Sequence, residues 1–166
     1  MLCNILKVNG EKYVGKLILS IVLAELVGVI SSFFGMSNES MYIKINRPFF
    51  SPPGWIFPIV WTILFLLMGI AAYRVWVKGS QGEDVKKSLV LYAIQLALNF
   101  IWPIIFFRLK LYGLAFFELL ILLVFIVMTT FEFKKVDQIA GYLMIPYIAW
   151  VVFAGILNYA IWILNM

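Results

Sequence analysis

A chain of 166 residues that is 64% hydrophobic and 13% charged carries more apolar surface than one soluble core can hide, since soluble domains are about half apolar. The net charge of +5 is split into short basic clusters between apolar runs; that suits lipid headgroups and lacks the continuous basic face of a nucleic-acid reader. With no histidine and one cysteine, Cys3, the commonest metal ligand and acid–base catalyst are missing and an intrachain disulfide is excluded.

Spanning a bilayer takes about 20 apolar residues at 1.5 Å rise each. Five runs meet or approach this, and backbone in lipid must satisfy its own polar groups, so all five are read as helices. The first, residues 17–34, is interrupted by Glu25. It is too long for a signal-peptide core and no clear cleavage motif follows, so it is read as retained. The link 35–54 is long for so compact a chain and ends in Ser51-Pro52-Pro53-Gly54, which cannot continue a helix; such a link is often functional, a passive tether being the alternative.

The second run, residues 55–77, carries a charge only at Arg74 near its end, and Trp61, Phe65, Met68 and Ala72 recur along it at helical steps. The third, 88–107, is uncharged. Gln95, Asn99, Trp102 and Phe106 fall on one face of it, and Pro103 should bend it. The fourth, 111–131, contains Glu118, and the fifth, 139–164, carries Pro146, Trp150, Ala154 and Leu157 on one stripe with Asn158 beside them. Glu25 and Glu118 are costly in hydrocarbon and are expected to be protonated, paired or solvated in a cavity; a proton relay is one reading, and glue to a Ser, Asn or Tyr of a neighbouring helix is the favoured one. The expected architecture is an all-α integral membrane protein, a single five-transmembrane-helix bundle over residues 1–166.

Counting Lys and Arg on alternate sides gives nine with the amino terminus and four with the long loop. The amino terminus is therefore expected in the cytoplasm. Each aromatic or amide residue alone is explained by helix packing with polar glue. Three such stripes together form a slot walled by rings with a few amides, the usual form of a small-molecule site for a flat apolar guest. No nucleophile–base pair, P-loop or dinucleotide fingerprint is present.

Three blocks carry a family resemblance: RPFFSPPGWIFPIVWTILFLLMGIA (Arg47 to Ala71), QLALNFIWPIIFF (Gln95 to Phe107) and LMIPYIAWVVFAGILNYAIW (Leu143 to Trp162). From about Tyr42 onward the chain resembles the tryptophan-rich sensory protein family, TspO, which includes the translocator protein or peripheral benzodiazepine receptor. The resemblance implies a five-helix bundle, often a homodimer, that binds porphyrins such as protoporphyrin IX, cholesterol or synthetic benzodiazepine-type ligands under the first loop, which makes residues 35–54 the candidate gating loop. Carried over by motif, the ligand-binding residues are Tyr42, Pro52, Trp61, Phe65, Asn99, Trp102, Phe106, Trp150 and Ala154. Some members are said to degrade porphyrin, which makes Trp61 and Trp150 the candidate catalytic residues. The family implies porphyrin as ligand, with no required cofactor or metal; without histidine it would be metal-free or held by shape. Met41 and Arg47-Pro48-Phe49-Phe50 depart from the family's loop, and no Lys or Arg follows Tyr159, which weakens the sterol expectation.

Overall fold

The computed structural model describes residues 5–35 and 45–166, and among these every long element is helical. The helices are α1 (Val14–Gly35), α2 (Ile56–Ser80), α3 (Lys86–Pro103), α4 (Tyr112–Val136), α5 (Gln138–Leu143) and α6 (Ile145–Leu164). Five spans are long and apolar enough to cross a membrane, the third continuing α3 to Arg108 and the fifth comprising α5 and α6. They match the five apolar runs, each with ends shifted by a few residues. α2 and α4 run beyond the apolar segments, to Ser80 and Val136, because Lys78, Lys134 and Lys135 prolong the helix into the interface, where cations suit a helix C-terminus.

Pro103 and Pro146 shape the bundle. Pro103 has no amide proton, and after it the chain winds into a wider π-helical turn over Ile104–Arg108. The amide of Ile104 reaches back to Ile101, and the carbonyl of Phe100 instead accepts from the Ser31 hydroxyl of α1 at 2.9 Å. Gly35, at the end of α1, lies so close to Pro103 that a Cβ would collide with the proline ring. Pro146 separates α5 from α6: it sits in the first turn of α6, where a missing amide costs nothing. Asp137 caps α5, its carboxylate accepting from the amide of Ala140 at 2.8 Å.

α1 packs along α2 and α3, α3 along α4, α4 along α6, and α2 on the short α5. The α1–α2 contact is close because Gly69 has no side chain; a Cβ there would strike the backbone of Ile21. In contrast, backbone approaches between α6 and either α2 or α3 are sparse. Large side chains bridge that space and form the main core, in which Phe65, Met68, Tyr147, Val151 and Ala154 are buried and Trp61, Trp102 and Trp150 are half-buried.

The end of the bundle that carries the amino-terminal segment is closed by a clasp. Arg74 is only 4% exposed. Its guanidinium meets Asp137 through two parallel bonds of 2.7 and 2.8 Å and donates to the carbonyls of Ile5 and Lys7 at 2.6 and 2.8 Å. The neighbouring Tyr73 hydroxyl donates to the Leu6 carbonyl and accepts from the amide of Tyr13. One arginine thus ties the amino-terminal segment, α2 and the α4–α5 corner together. Burial pushes the Asp137 carboxyl up, but the bonds from Arg74 and Ala140 outweigh it and hold the group below the usual carboxylate range.

Candidate functional site: an aromatic gap between α2, α3 and α6

The helical stripes put ring-bearing residues on the faces that α2, α3 and α6 turn toward one another. From α2, Trp61 tilts against Phe65 (centroids 5.7 Å apart) and meets the edge of Tyr147 on α6 at 6.2 Å. One turn earlier on α2, Phe57 meets Trp150 of α6 at 5.8 Å, and Trp150 also touches Phe153 at 5.4 Å. From α3, Asn99 donates to the Tyr147 hydroxyl at 2.6 Å, and the Trp102 indole N–H donates to Asn158 Oδ1 at 3.2 Å. Asn158 in turn donates to the Tyr112 carbonyl at the start of α4. These contacts cross the space through side chains alone. Each ring pair contributes roughly 0.5–1.5 kcal/mol beyond burial, far less than continuous helix packing.

The sequence-derived residues are distributed as follows. Trp61, Phe65, Asn99, Trp102, Trp150 and Ala154 border or pack against the one core between the three helices. Phe65 also leans on α1, its ring lying against Gly28 where a Cβ would collide. Phe106 stacks on Trp102 (centroids 4.9 Å apart) but is buried in a smaller neighbouring cluster with Ala115, Leu157 and Ile161. The π-helical turn begins between Trp102 and Phe106 and turns the latter toward α4. Pro52 is half-buried in the loop, and Tyr42 lies outside the described residues, as do Met41 and Cys3. Tyr147 and Phe57 were not singled out by the sequence reading. Tyr147 is three residues before Trp150 and Phe57 four before Trp61, so both extend stripes already recognised.

Two concavities flank this region without coinciding with it. One, of about 390 Å³, lies between α4 and α6, lined by apolar residues around Gly155. The other, of about 580 Å³, is formed by residues 45–53 of the loop and includes Arg47, Ser51 and Pro52. In the aromatic gap the rings touch one another, so a guest that lies between them would have to displace those contacts. The loop is fastened to the end of α6: Asn46 donates to Asn165 Oδ1 at 3.1 Å and to the Leu164 carbonyl at 3.3 Å, and Asn165 returns a bond of 2.9 Å to the Asn46 carbonyl. Cutting this latch should free the loop. In an Asn165→Ala variant, hydrogen exchange in residues 45–54 is expected to accelerate several-fold while the helices are unaffected, as about 1 kcal/mol per lost hydrogen bond implies. Unchanged exchange in the loop would show that the latch does not hold it.

No cluster of metal-ligating side chains occurs among the described residues. Glu118, expected to pair with a neighbouring polar group, is 8% exposed and has both carboxyl oxygens without a partner among the described residues. Glu25 is half-buried on α1.

A family model described as TspO/MBR matches residues 20–163. The chain is similar to the tryptophan-rich protein TspO of Chlorobaculum tepidum, at 40% identity over 93% of this chain and 99% of the relative. It is also similar to the tryptophan-rich protein TspO of Archaeoglobus fulgidus, at 36% identity over 90% and 97% of the two chains. The human translocator protein is 38% identical over 73% of this chain and 72% of its own. With its five membrane spans and this match across most of its length, the chain is a multi-span integral membrane protein that belongs to the TspO/MBR family.

Proposed function

We propose that this protein binds porphyrins such as protoporphyrin IX, and related flat apolar molecules, in the space between α2, α3 and α6 beneath the loop that precedes α2. The observation that supports this most is the way α6 faces α2 and α3: across sparse backbone contact, through indole, phenyl and phenol rings with two amides among them. Rings that touch edge-on and tilted can be rearranged by a flat guest that offers larger stacked faces. The amides of Asn99 and Asn158 would orient its polar edge. Binding by Tyr42, Pro52, Trp61, Phe65, Asn99, Trp102, Phe106, Trp150 and Ala154 belongs to this reading, with residues 35–54 as the gate. So do a homodimeric state and a bacterial cell membrane with the amino terminus inside.

Titration of the purified protein with protoporphyrin IX in detergent should quench tryptophan fluorescence saturably, with a matching rise in thermal midpoint. Linear, non-saturating quenching and an unmoved midpoint would reject binding and leave a scaffold without ligand.

A second reading is light- and oxygen-dependent breakdown of the bound porphyrin. Trp61 and Trp150 favour it because they stand on opposite walls, α2 and α6, and the Trp150 indole N–H is buried without a partner among the described residues. Illumination in air should then bleach the pigment faster with the unaltered protein than with Trp61→Phe/Trp150→Phe. Equal bleaching would remove these residues from any such chemistry.

A further inference from the structure

Buried side-chain polar atoms without a hydrogen-bond partner, among the described residues, are the Tyr92 hydroxyl, Gln95 Oε1, both oxygens of Glu118 and the Trp150 indole nitrogen. Apart from the indole, these sit on α3 and α4, which pack along each other. Tyr92, Gln95 and Asn99 follow each other at steps of three and four along one face of α3. Asn99 holds the Tyr147 hydroxyl of α6, and both Tyr92 and Glu118 of α4 lie within electrostatic range of that hydroxyl. Gln95 spends its amide N–H on the sulfur of Met68, a weak acceptor, at 3.9 Å. Its oxygen is left pointing into the protein interior.

Such a grouping is unstable if dry. A buried carboxylate with no partner carries a desolvation cost that nothing nearby offsets, and even the neutral acid loses hydrogen bonds it had in water. Among the described residues, the basic groups in ion pairs lie elsewhere. Arg74 is committed to Asp137 at the end that carries the amino-terminal segment, and Lys87 and Lys135 hold Glu132 near that end of α4. Arg108 and Lys110 are exposed at the opposite end, Tyr142 of α5 is exposed, and α1, which bears Glu25, packs on α2 and α3 rather than on α4. Among the described residues no hydrogen bond or ion pair reaches Glu118, and the Tyr147 hydroxyl feels both it and the neutral Tyr92 phenol. A water molecule needs two to four polar partners. Here a carboxyl, an amide oxygen, the Tyr92 hydroxyl and the Tyr147 hydroxyl, which accepts from Asn99 and keeps its own proton to donate, supply them.

We infer that α3, α4 and α6 enclose a hydrated proton-binding site, in which Glu118 holds an exchangeable proton and water links it to Tyr92, Gln95 and Tyr147. The ligand is a proton together with its water. The site shares Tyr147 with the aromatic gap but requires no guest in it, since Glu118, Tyr92 and Gln95 lie outside the ring contacts of Trp61 and Trp150. A protonated Glu118 adds no charge to the membrane interior, and hydration lets its proton exchange without unfolding.

Infrared spectroscopy of the full chain in lipid vesicles tests this. At neutral pH a protonated-carboxyl C=O band is expected that disappears in Glu118→Gln, a near-isosteric change. Transfer to heavy water should shift the band without unfolding. Tyr92→Phe should move it again by removing one member of the network. Absence of a Glu118-dependent band at neutral pH would overturn the proposal, because the group would then be ionised. A band that heavy water leaves in place would overturn it too, because the acid would then be dry. Should Glu118→Gln fail to fold, the heavy-water shift and the Tyr92→Phe displacement carry the test, and a band indifferent to both counts against the site.

Discussion

Replacing Arg74 with alanine should lower the stability of the folded protein by about 3–5 kcal/mol, because it leaves the Asp137 carboxylate buried and unpaired. The guanidinium is matched to its partner by two parallel bonds and spends further donors on Ile5 and Lys7. Lysine cannot reproduce that fork, so Arg74→Lys should recover only part of the loss. Arg74→Ala/Asp137→Ala should be less damaging than Arg74→Ala alone, as the stranded charge goes with its partner. Thermal unfolding followed by tryptophan fluorescence would read the effect, and trypsin cleavage at Lys7 and Lys12 should become faster as the amino-terminal segment is released. A midpoint unchanged in Arg74→Ala would mean that the pair holds nothing together. The pH dependence has a defined sign. Asp137 is held below the usual carboxylate range in the folded protein. Its contribution is therefore complete above the unfolded-state value of about 3.9 and disappears as pH falls through the lower folded value. In Asp137→Asn that acid limb should be reduced.

This clasp shows where sequence reading stops. Arg74 is visible as the one charge late in the second apolar run, and there it counts as a flanking cation that orients the helix. Its partner is 63 positions away, and nothing in local spacing links the two. The spans were legible because lipid imposes length and hydropathy on each segment separately. The ring stripes were legible because helical period places Trp61 with Phe65, and Trp150 with Ala154, whatever surrounds them. Tyr147 escaped because its importance comes from Asn99 on another helix. Phe106 continues the α3 stripe on paper, yet the π-helical turn after Pro103 alters the winding and carries it into the cluster with Leu157 and Ile161. The proline was readable; which carbonyl it would free, and that Ser31 would take up the Phe100 carbonyl, depended on how closely α1 approaches. Family resemblance extended the site to Pro52 and Tyr42, positions that no periodicity marks.

Removing either wall of the aromatic gap should weaken porphyrin binding by roughly thirtyfold. Full burial of a large apolar side chain against a guest is worth about 2 kcal/mol, and 1.4 kcal/mol corresponds to about a tenfold change in affinity. Trp61→Ala deletes the ring that lies between Phe65 and Tyr147, and Trp150→Ala deletes the one between Phe57 and Phe153. Both should show the loss in fluorescence or absorbance titrations of protoporphyrin IX. Trp61→Phe keeps a smaller ring and should lose severalfold less. Trp76→Phe is the control: that indole sits near the amino-terminal end of α1 under the ammonium of Lys16, away from the gap, and its replacement should leave affinity unaltered. The double variant is the more informative measurement. If one flat molecule lies between the two walls, each indole orders the guest for the other, and the losses should fail to add. Strict additivity would mean that Trp61 and Trp150 do not share a guest. An affinity equal to that of the unaltered protein in both single variants would place any binding outside the space between α2, α3 and α6. The groove between α4 and α6 around Gly155 would then be the next candidate, because a glycine there leaves room that a larger residue, such as Gly155→Leu, would fill.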